Sequence, residues 1–305
     1  MGLAASVVYV ALALLVSVYL VAVADTALGS AVSGVRPATP AWKAPLARAA
    51  RLMLHRRTET ERPDREAWAL APPLLGGLAA VSVTSIPIAS GLAVADIPVG
   101  IVLFGAAMIQ VMVAVFLHGW GPNSVFPMVG AFRMAAAGLS IGIPFSLVLI
   151  STALPAESLS VGLIIESQSE LWNVIRQPLG LPVYLVTALG FSFWGPARLP
   201  DGADLGGGTD VESSGSALVV WRASRAAVLV AVSAMGAAAF LGGYLGPVLP
   251  GWLWMTLKTA VVALALIWSG HRIARVRIEG MVRMGWLVLL PLALVDVFAS
   301  GALTL

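Results

Sequence analysis

Long apolar runs recur along the whole chain, and they limit its fold more than any other feature. Eight stretches carry almost no charge, and with their flanks each can supply the roughly 20 residues that a helix needs to cross a bilayer. Only 11% of the residues are charged, whereas a soluble domain has about 25%. We therefore predict an all-α polytopic membrane protein that forms a single membrane domain over residues 1–305. The eight stretches are residues 1–24, 70–90, 97–117, 128–152, 178–194, 217–243, 253–268 and 281–303.

The first of these stretches has two interpretations. Residues 21–24 read Val-Ala-Val-Ala and are similar to a signal-peptidase site. However, no Lys or Arg precedes the run, and it is longer than the apolar core of a signal peptide. A first transmembrane helix is the favoured interpretation, and eight helices then place both termini on the same side of the membrane.

Basic residues concentrate in the connections on one side of the predicted membrane. With residues 25–69 in the cytoplasm, sixteen of the eighteen Lys and Arg residues fall in cytoplasmic connections or adjoining helix ends. The opposite orientation would invert this bias, so both termini are predicted on the outer side. Residues 44–57 can form an amphipathic helix whose arginines reach the lipid headgroups. An ordinary basic loop and a surface that docks a partner are the alternatives.

Residues 195–216 form another cytoplasmic connection, and this one is acidic. Its carboxylates are interleaved with glycines, which make the backbone flexible, and it has too few apolar residues to fold alone. A solvated linker is the favoured interpretation, and a mobile loop that faces a partner or a cavity is the alternative. The carboxylates are those of Asp201, Asp204, Asp210 and Glu212.

Two ionisable residues fall inside predicted helices, where the cost of burying a charge makes each a candidate functional group. Lys258 lies about one turn from Trp254, so it is either a buried relay residue or an anchor that reaches the outer interface. Asp296 has no opposite charge nearby in sequence, so it must face the bundle or another subunit, or be protonated. The chain has no cysteine and three widely spaced histidines, which argues against a metal site.

Short motifs spread over nearly the whole chain share their order and spacing with one family. The most specific is Arg275-Val276-Arg277-Ile278-Glu279, which is similar to an arginine-x-arginine-x-aspartate signature. Further motifs are Gly119-Trp120, Asn123-Ser124 and residues 129–133, 177–180 and 212–215. Together they resemble the H subunit of bacterial NADH-quinone oxidoreductase, the complex I membrane subunit that meets the hydrophilic arm.

This resemblance implies an eight-helix subunit of a bacterial plasma membrane that performs no catalysis alone. The subunit would form part of the quinone chamber and of the junction between the peripheral and membrane arms. It would bind no cofactor itself, because quinone is the substrate of the whole complex, and flavin and iron–sulfur clusters lie on partner subunits. The expected partners are antiporter-like membrane subunits and peripheral-arm subunits, with no nucleic acid.

The resemblance also implies roles for residues of this chain. The four acids of residues 195–216 are expected to wall the quinone chamber. Arg275, Arg277 and Glu279, together with Arg133, are expected to dock the peripheral arm or line the chamber mouth. Lys258 and Asp296 are expected to form an intramembrane proton relay. No catalytic residue and no metal ligand is implied.

Several acids of the family pattern are missing from this chain. Gly142 and Phe191 stand where the family has glutamates in its fourth and fifth helices, and Arg225 stands at a glutamate of the sixth. Gly and Phe cannot take up a proton, and Arg stays charged. This departure leaves two alternatives open. One is a membrane anchor of an energy-converting hydrogenase or another complex I-related assembly, and the other is a non-catalytic structural subunit or an unrelated transporter.

Overall fold

The computed structural model describes residues 3–35, 39–56, 58–95 and 97–304, and over these residues every regular element is helical. The all-α prediction is therefore confirmed for this part of the chain. Arg36, Pro37 and Arg57 of the predicted basic connection lie outside the described residues. The α-helices are α1 (Leu3–Ser33), α2 (Ala44–Leu54), α3 (Arg65–Thr84), α4 (Gly100–Trp120), α5 (Val125–Ala153), α6 (Val161–Glu166), α7 (Asn173–Arg176), α8 (Gly180–Phe191), α9 (Gly215–Phe240), α10 (Gly251–Arg272), α11 (Ile278–Met284) and α12 (Leu290–Thr304).

Among the described residues, seven segments are long and apolar enough to cross a membrane. Six are the helices α1, α3, α4, α5, α9 and α10, and the seventh is Ile278–Ala302, in which a π-helical turn, Gly285–Leu289, joins α11 to α12. The predicted stretch 178–194 contains α8, which has only 12 residues. At 1.5 Å per residue, this helix is about 18 Å long and shorter than the bilayer core.

The first connection is shorter than the predicted range 25–69. Helix α1 continues past the predicted end at residue 24 to Ser33, and α3 already begins at Arg65. Asp25 therefore lies within a helix, because a single charged residue did not end a run of otherwise helix-compatible residues. The amphipathic helix begins where predicted, at Ala44, and ends at Leu54 rather than at residue 57.

Helix α9 lies at the centre of the bundle. Every residue from Ser224 to Phe240 is buried, and the helix packs against α1, α3, α8 and α10. Many of its residues are Ala, Gly or Ser, and small side chains let neighbouring helices approach closely. Of the two arginines near its start, Arg225 is buried in this packing, whereas Arg222 is partly exposed.

Candidate functional site

The acidic connection, residues 195–216, packs against the ends of α4, α5, α8 and α10. It contains three short 3-10 turns, and its Leu199 and Leu205 side chains are buried. The prediction of a solvated linker is therefore wrong, because the loop uses apolar surface that the helices supply. Its glycines allow tight turns: Gly208 has a φ of +58°, and a Cβ there would collide with the carbonyl oxygen of Pro200.

A buried ion pair between Asp201 and Arg225 fastens this loop to α9. The two side chains are 1% and 6% exposed, and Arg225 Nη1 donates a hydrogen bond of 2.8 Å to Asp201 Oδ2. Thr209 Oγ1 donates to the other carboxylate oxygen at 2.6 Å. The guanidinium carbon also lies 4.9 Å from the ring of Phe193 and 4.8 Å from the ring of Trp194. Both charges are thus compensated inside the protein.

Asp210 lies close enough to Asp201 to influence its protonation. Its carboxylate accepts a hydrogen bond of 3.3 Å from Arg222 Nε. Burial, followed by the negative charge of Asp210, raises the pKa of Asp201 to about 6, although Arg225 and Thr209 favour the charged form. The Asp201 carboxyl can therefore change its charge close to neutral pH.

The other two acids join the loop to the start of α5. Asp204 Oδ2 lies 2.7 Å from Arg133 Nη1, and its side chain is 61% exposed. The hydrogen bond from Arg133 holds the pKa of Asp204 below its usual value. Glu212 Oε1 accepts a hydrogen bond of 2.8 Å from Ser124 Oγ. All four predicted acids thus fasten the connection to the bundle.

A cavity of about 720 Å³ opens between α1, α2, α9, α10 and the beginning of the acidic connection. None of the four acids lines it, although Gly195 of the same connection does. Most of its apolar lining comes from α1 and α2. Five arginines also line it, one of them on α2, so the cavity combines an apolar surface with concentrated positive charge. These arginines are Arg48, Arg198, Arg222, Arg225 and Arg275.

Two further ionisable residues of the cavity were not predicted from the sequence. Asp25 of α1 and His271 of α10 both line it, and their Oδ1 and Nε2 atoms are 3.0 Å apart. The sequence pattern assigns Asp25 to a connection, because the apolar run stops at residue 24. The residues that follow Asp25 are compatible with a helix, and they could have indicated that α1 continues. Nothing in the local sequence of His271 indicates this contact.

The arginine-x-arginine-x-acid motif lies partly at the cavity and partly on the surface. Arg275 lines the cavity, whereas Arg277 and Glu279 are exposed at the beginning of α11. The backbone N–H of Val276 donates a hydrogen bond of 2.9 Å to the carbonyl of Pro196. The motif is thus tied directly to the acidic connection.

Lys258 is buried near the beginning of α10, away from the acidic connection. Its Nζ donates a hydrogen bond of 2.6 Å to the carbonyl of Leu245, in the turn before this helix. The same atom lies 4.3 Å from the centre of the Trp172 ring and 5.4 Å from that of Trp254. A carbonyl and two aromatic faces therefore stabilise its charge.

Asp296 faces the interior of the bundle, which was one of its predicted orientations. Its Oδ2 accepts a hydrogen bond of 2.7 Å from Ser151 Oγ of α5, and the carboxylate packs against Gly180 at the start of α8. No hydrogen bond or ion pair in the described part of the chain joins it to Lys258. The two predicted relay residues are thus held by separate sets of contacts.

Comparison with known proteins assigns the chain to a family. A family model described as NADH dehydrogenase matches residues 2–301. This chain belongs to the NADH dehydrogenase family. Its similarity extends to members named as the H subunit of NADH-quinone oxidoreductase, which confirms the predicted resemblance and identifies a multi-pass membrane protein.

Three of these H subunits show the extent of the similarity. One from Rhodopseudomonas palustris (strain HaA2) is 31% identical over 254 residues, which cover 80% of this chain and 78% of the relative. One from Syntrophobacter fumaroxidans is 29% identical over 268 residues, covering 85% and 81%. The one from Geobacillus sp. (strain WCH70) is 30% identical over 257 residues, covering 82% and 77%.

Proposed function

We propose that this chain is the membrane subunit at the junction between the peripheral and membrane arms of a proton-translocating NADH-quinone oxidoreductase. The family match over residues 2–301 carries this proposal. The names of its relatives favour this assembly over a hydrogenase anchor, a structural subunit or a transporter. The chain performs no catalysis alone, since quinone is the substrate of the complex and the redox cofactors belong to partner subunits.

The proposed topology has eight crossings, with α8 and its flanking residues as the fifth and both termini on the outer side of a bacterial plasma membrane. Support comes from the clustering of cations at one end of the bundle. Arg133, Arg222 and Arg225 all pair with acids of the same connection, residues 195–216. The positive-inside bias places that end in the cytoplasm.

The cavity between α1, α2, α9 and α10 is the proposed route by which quinone passes from the bilayer toward the chamber. Its volume of about 720 Å³ lies within the range of roughly 300 to 1,000 Å³ that is usual for small-molecule sites. Its apolar wall suits an isoprenoid tail, and guanidinium groups can donate hydrogen bonds to quinone oxygens. The acids of the neighbouring connection act here by holding that connection in place against partner subunits.

The exposed end of the motif, Arg277 and Glu279, is the proposed docking surface for the peripheral arm, with Arg275 and Arg133 beside it. Charge reversal of Arg275 and Arg277 to Glu should detach the peripheral subunits and leave membrane insertion intact. Arg51→Glu is the control, because Arg51 is exposed on α2. Peripheral subunits that remain attached to the doubly reversed variant would refute this surface.

Lys258 and Asp296 are the proposed intramembrane proton relay. Because no described contact joins them, each would exchange protons with other groups of the assembly. The double variant Lys258→Met, Asp296→Asn should reduce proton pumping by the purified complex while electron transfer continues. Unchanged pumping would remove both residues from the relay.

Purification in a mild detergent, with mass spectrometry of the co-purifying subunits, tests the proposed assembly. Antiporter-like membrane subunits and peripheral-arm subunits should co-purify, together with NADH-quinone reductase activity. Recovery of the chain alone and monodisperse would refute the proposal. Co-purification with a hydrogenase large subunit would instead establish the hydrogenase alternative.

A further inference from the structure

A hydrogen-bonded pair of ionisable residues, Asp25 and His271, lies in the lining of the cavity and has no role in the functions proposed above. Asp25 Oδ1 and His271 Nε2 are 3.0 Å apart, and the two side chains are 37% and 26% exposed. The pair joins α1 to the end of α10. It therefore brings polar atoms to the route that quinone is proposed to take.

Close packing holds the imidazole ring of His271 in place. Gly29 lies one helical turn after Asp25, and a Cβ there would be only 3.1 Å from His271 Cε1, so this glycine makes room for the ring against α1. The neighbouring Gly270 packs against the acidic connection, where a Cβ would lie 2.8 Å from the Cα of Gly195. The second ring nitrogen of His271, Nδ1, has no hydrogen-bond partner among the described residues. It is therefore available to a molecule in the cavity.

The contact with Asp25 determines which kind of hydrogen bond Nδ1 can form. An ionised carboxylate only accepts hydrogen bonds, so the hydrogen of the neutral imidazole lies on Nε2, where Asp25 accepts it. Nδ1 then carries a lone pair and is an acceptor. A carboxylate beside a histidine fixes the tautomer and the orientation of the ring in the same way in hydrolytic triads.

The other polar side chains of the lining are mostly donors. The five arginines and Trp194 can donate hydrogen bonds but cannot accept them. Among the described side chains of the lining, only Asp25, His271 and Tyr19 carry acceptor atoms, and the Tyr19 hydroxyl already donates to the carbonyl of Trp42. Arginines suit the carbonyl oxygens of a quinone. A quinol presents hydroxyl groups instead, and a hydroxyl that finds no acceptor in a water-poor site is costly.

We propose that the Asp25–His271 pair binds the quinol, the reduced product, as it returns from the chamber to the bilayer. One quinol hydroxyl donates to His271 Nδ1, and Asp25 is a positioning residue that keeps the ring in its accepting tautomer. The arginines bind the oxidised form, so different side chains of one cavity hold the two redox forms. This site rests on the proposed function, because only a quinone oxidoreductase would release a quinol here.

Binding of a tritiated, decyl-substituted benzoquinol to the full chain tests this site, under anaerobic conditions that keep the ligand reduced. The chain is purified in mild detergent with any subunits that stay attached, and the matching quinone is titrated in parallel. His271→Phe keeps a planar ring but removes the acceptor. It should weaken quinol binding about tenfold, which corresponds to one lost hydrogen bond, and quinone binding less than about twofold. Equal losses for the two forms, or no loss for either, would overturn the inference.

Two further variants test the part played by Asp25. Asp25→Asn no longer fixes the tautomer, so it should lower the ratio of quinol affinity to quinone affinity by at least about threefold. The double variant His271→Phe, Asp25→Asn should lose no more than His271→Phe alone, because Asp25 acts through His271. Additive losses would refute the positioning role. His55→Phe is the matched control, since His55 is exposed and does not line the cavity; an effect as large as that of His271→Phe would refute the site.

Failure of the quinol site and failure of the proposed function give different results. A native chain that purifies without oxidoreductase subunits and without NADH-quinone reductase activity refutes the proposed function and the quinol site together. An active complex in which His271→Phe leaves quinol binding unchanged refutes the quinol site alone.

Discussion

Replacement of Arg225 by Met is the sharpest test of how the acidic connection is held. The variant keeps an apolar stem of similar length between Phe193 and Trp194 but removes the partner of a carboxylate that is 1% exposed. Thr209 still donates one hydrogen bond to Asp201, and Arg198 Nε stays 3.9 Å from its carboxylate, so the remaining defect is a buried carboxylate that has lost its nearest cation. We therefore expect a loss of stability that depends on pH.

The size of this loss depends on how Asp201 responds when Arg225 is removed. Its carboxylate either stays charged without its partner or takes up a proton. Removal of one partner of a buried ion pair costs about 3–5 kcal/mol. Proton uptake sets a lower ceiling, because a neutral Asp201 costs only about 1.4 kcal/mol for each pH unit above its folded pKa of about 6. Relative to the native protein, this ceiling is about 2 kcal/mol at pH 7.5 and close to zero at pH 5.5. The defect should therefore shrink as the solution is made acidic.

Thermal unfolding in detergent, followed by size-exclusion chromatography, measures this effect at pH 7.5 and pH 5.5. Limited proteolysis within residues 195–216 reports local release of the connection. Arg222→Met is the matched control, because Arg222 pairs with Asp210 at 3.3 Å from a side chain that is 44% exposed, so its loss should cost less. The double variant Arg225→Met, Asp201→Asn should recover most of the lost stability. A single variant as stable as the native protein at pH 7.5, or a double variant no better than the single one, would refute the reasoning.

Three further outcomes follow from the same connection. The pKa of Asp201 is raised to about 6 in the folded protein, from an unfolded value of about 3.9. The stabilising contribution of Asp201 is therefore complete below about pH 4 and is lost as pH rises through about 6. Asp201→Asn should flatten that part of a plot of unfolding temperature against pH. Asp204→Asn breaks an exposed ion pair with Arg133. This variant should change the free energy of unfolding by less than about 1 kcal/mol. A larger loss would mean that this pair is shielded from solvent. Gly208→Ala should destabilise the connection by about 1–3 kcal/mol, because of its φ of +58° and the carbonyl of Pro200; unchanged protease resistance of residues 195–216 would contradict this.

The positions of the long helices were predictable because the apolar runs are long and nearly free of charge. The stretches 97–117, 128–152 and 217–243 lie close to α4, α5 and α9. Helix ends were harder to predict. The charge of Asp25 ended the predicted first helix, yet α1 continues to Ser33, because one carboxylate can contact a neighbouring helix instead of solvent. Composition also does not show that the segment around α8 is interrupted by turns.

The candidate site was predictable as a set of residues but not as a set of contacts. The four acids of residues 195–216 and the arginines around them could be named from the sequence, yet their pairing could not, since Asp201 and Arg225 are 24 positions apart. The cavity was not predictable at all, because its walls come from both ends of the chain. Asp25 and His271, which meet there, are separated by 246 positions. The glycines of residues 195–216 indicated a flexible loop. In the structure this loop is packed, and several of its glycines adopt positive φ values at tight turns.

A buried pair between a helix and a loop lies at one of the positions where this chain departs from the family pattern that it resembles. Arg225 stands on α9 where the resemblance places a glutamate, and an arginine cannot release its proton under physiological conditions. The ionisable carboxyl beside that position comes instead from Asp201, and its pKa is raised to about 6. The raised pKa of this carboxyl therefore depends on the acidic connection remaining packed against α9. Loss of the connection would remove the carboxyl and uncover the arginine at the cavity wall in the same step, so the stability of the loop and the charge of the cavity are coupled.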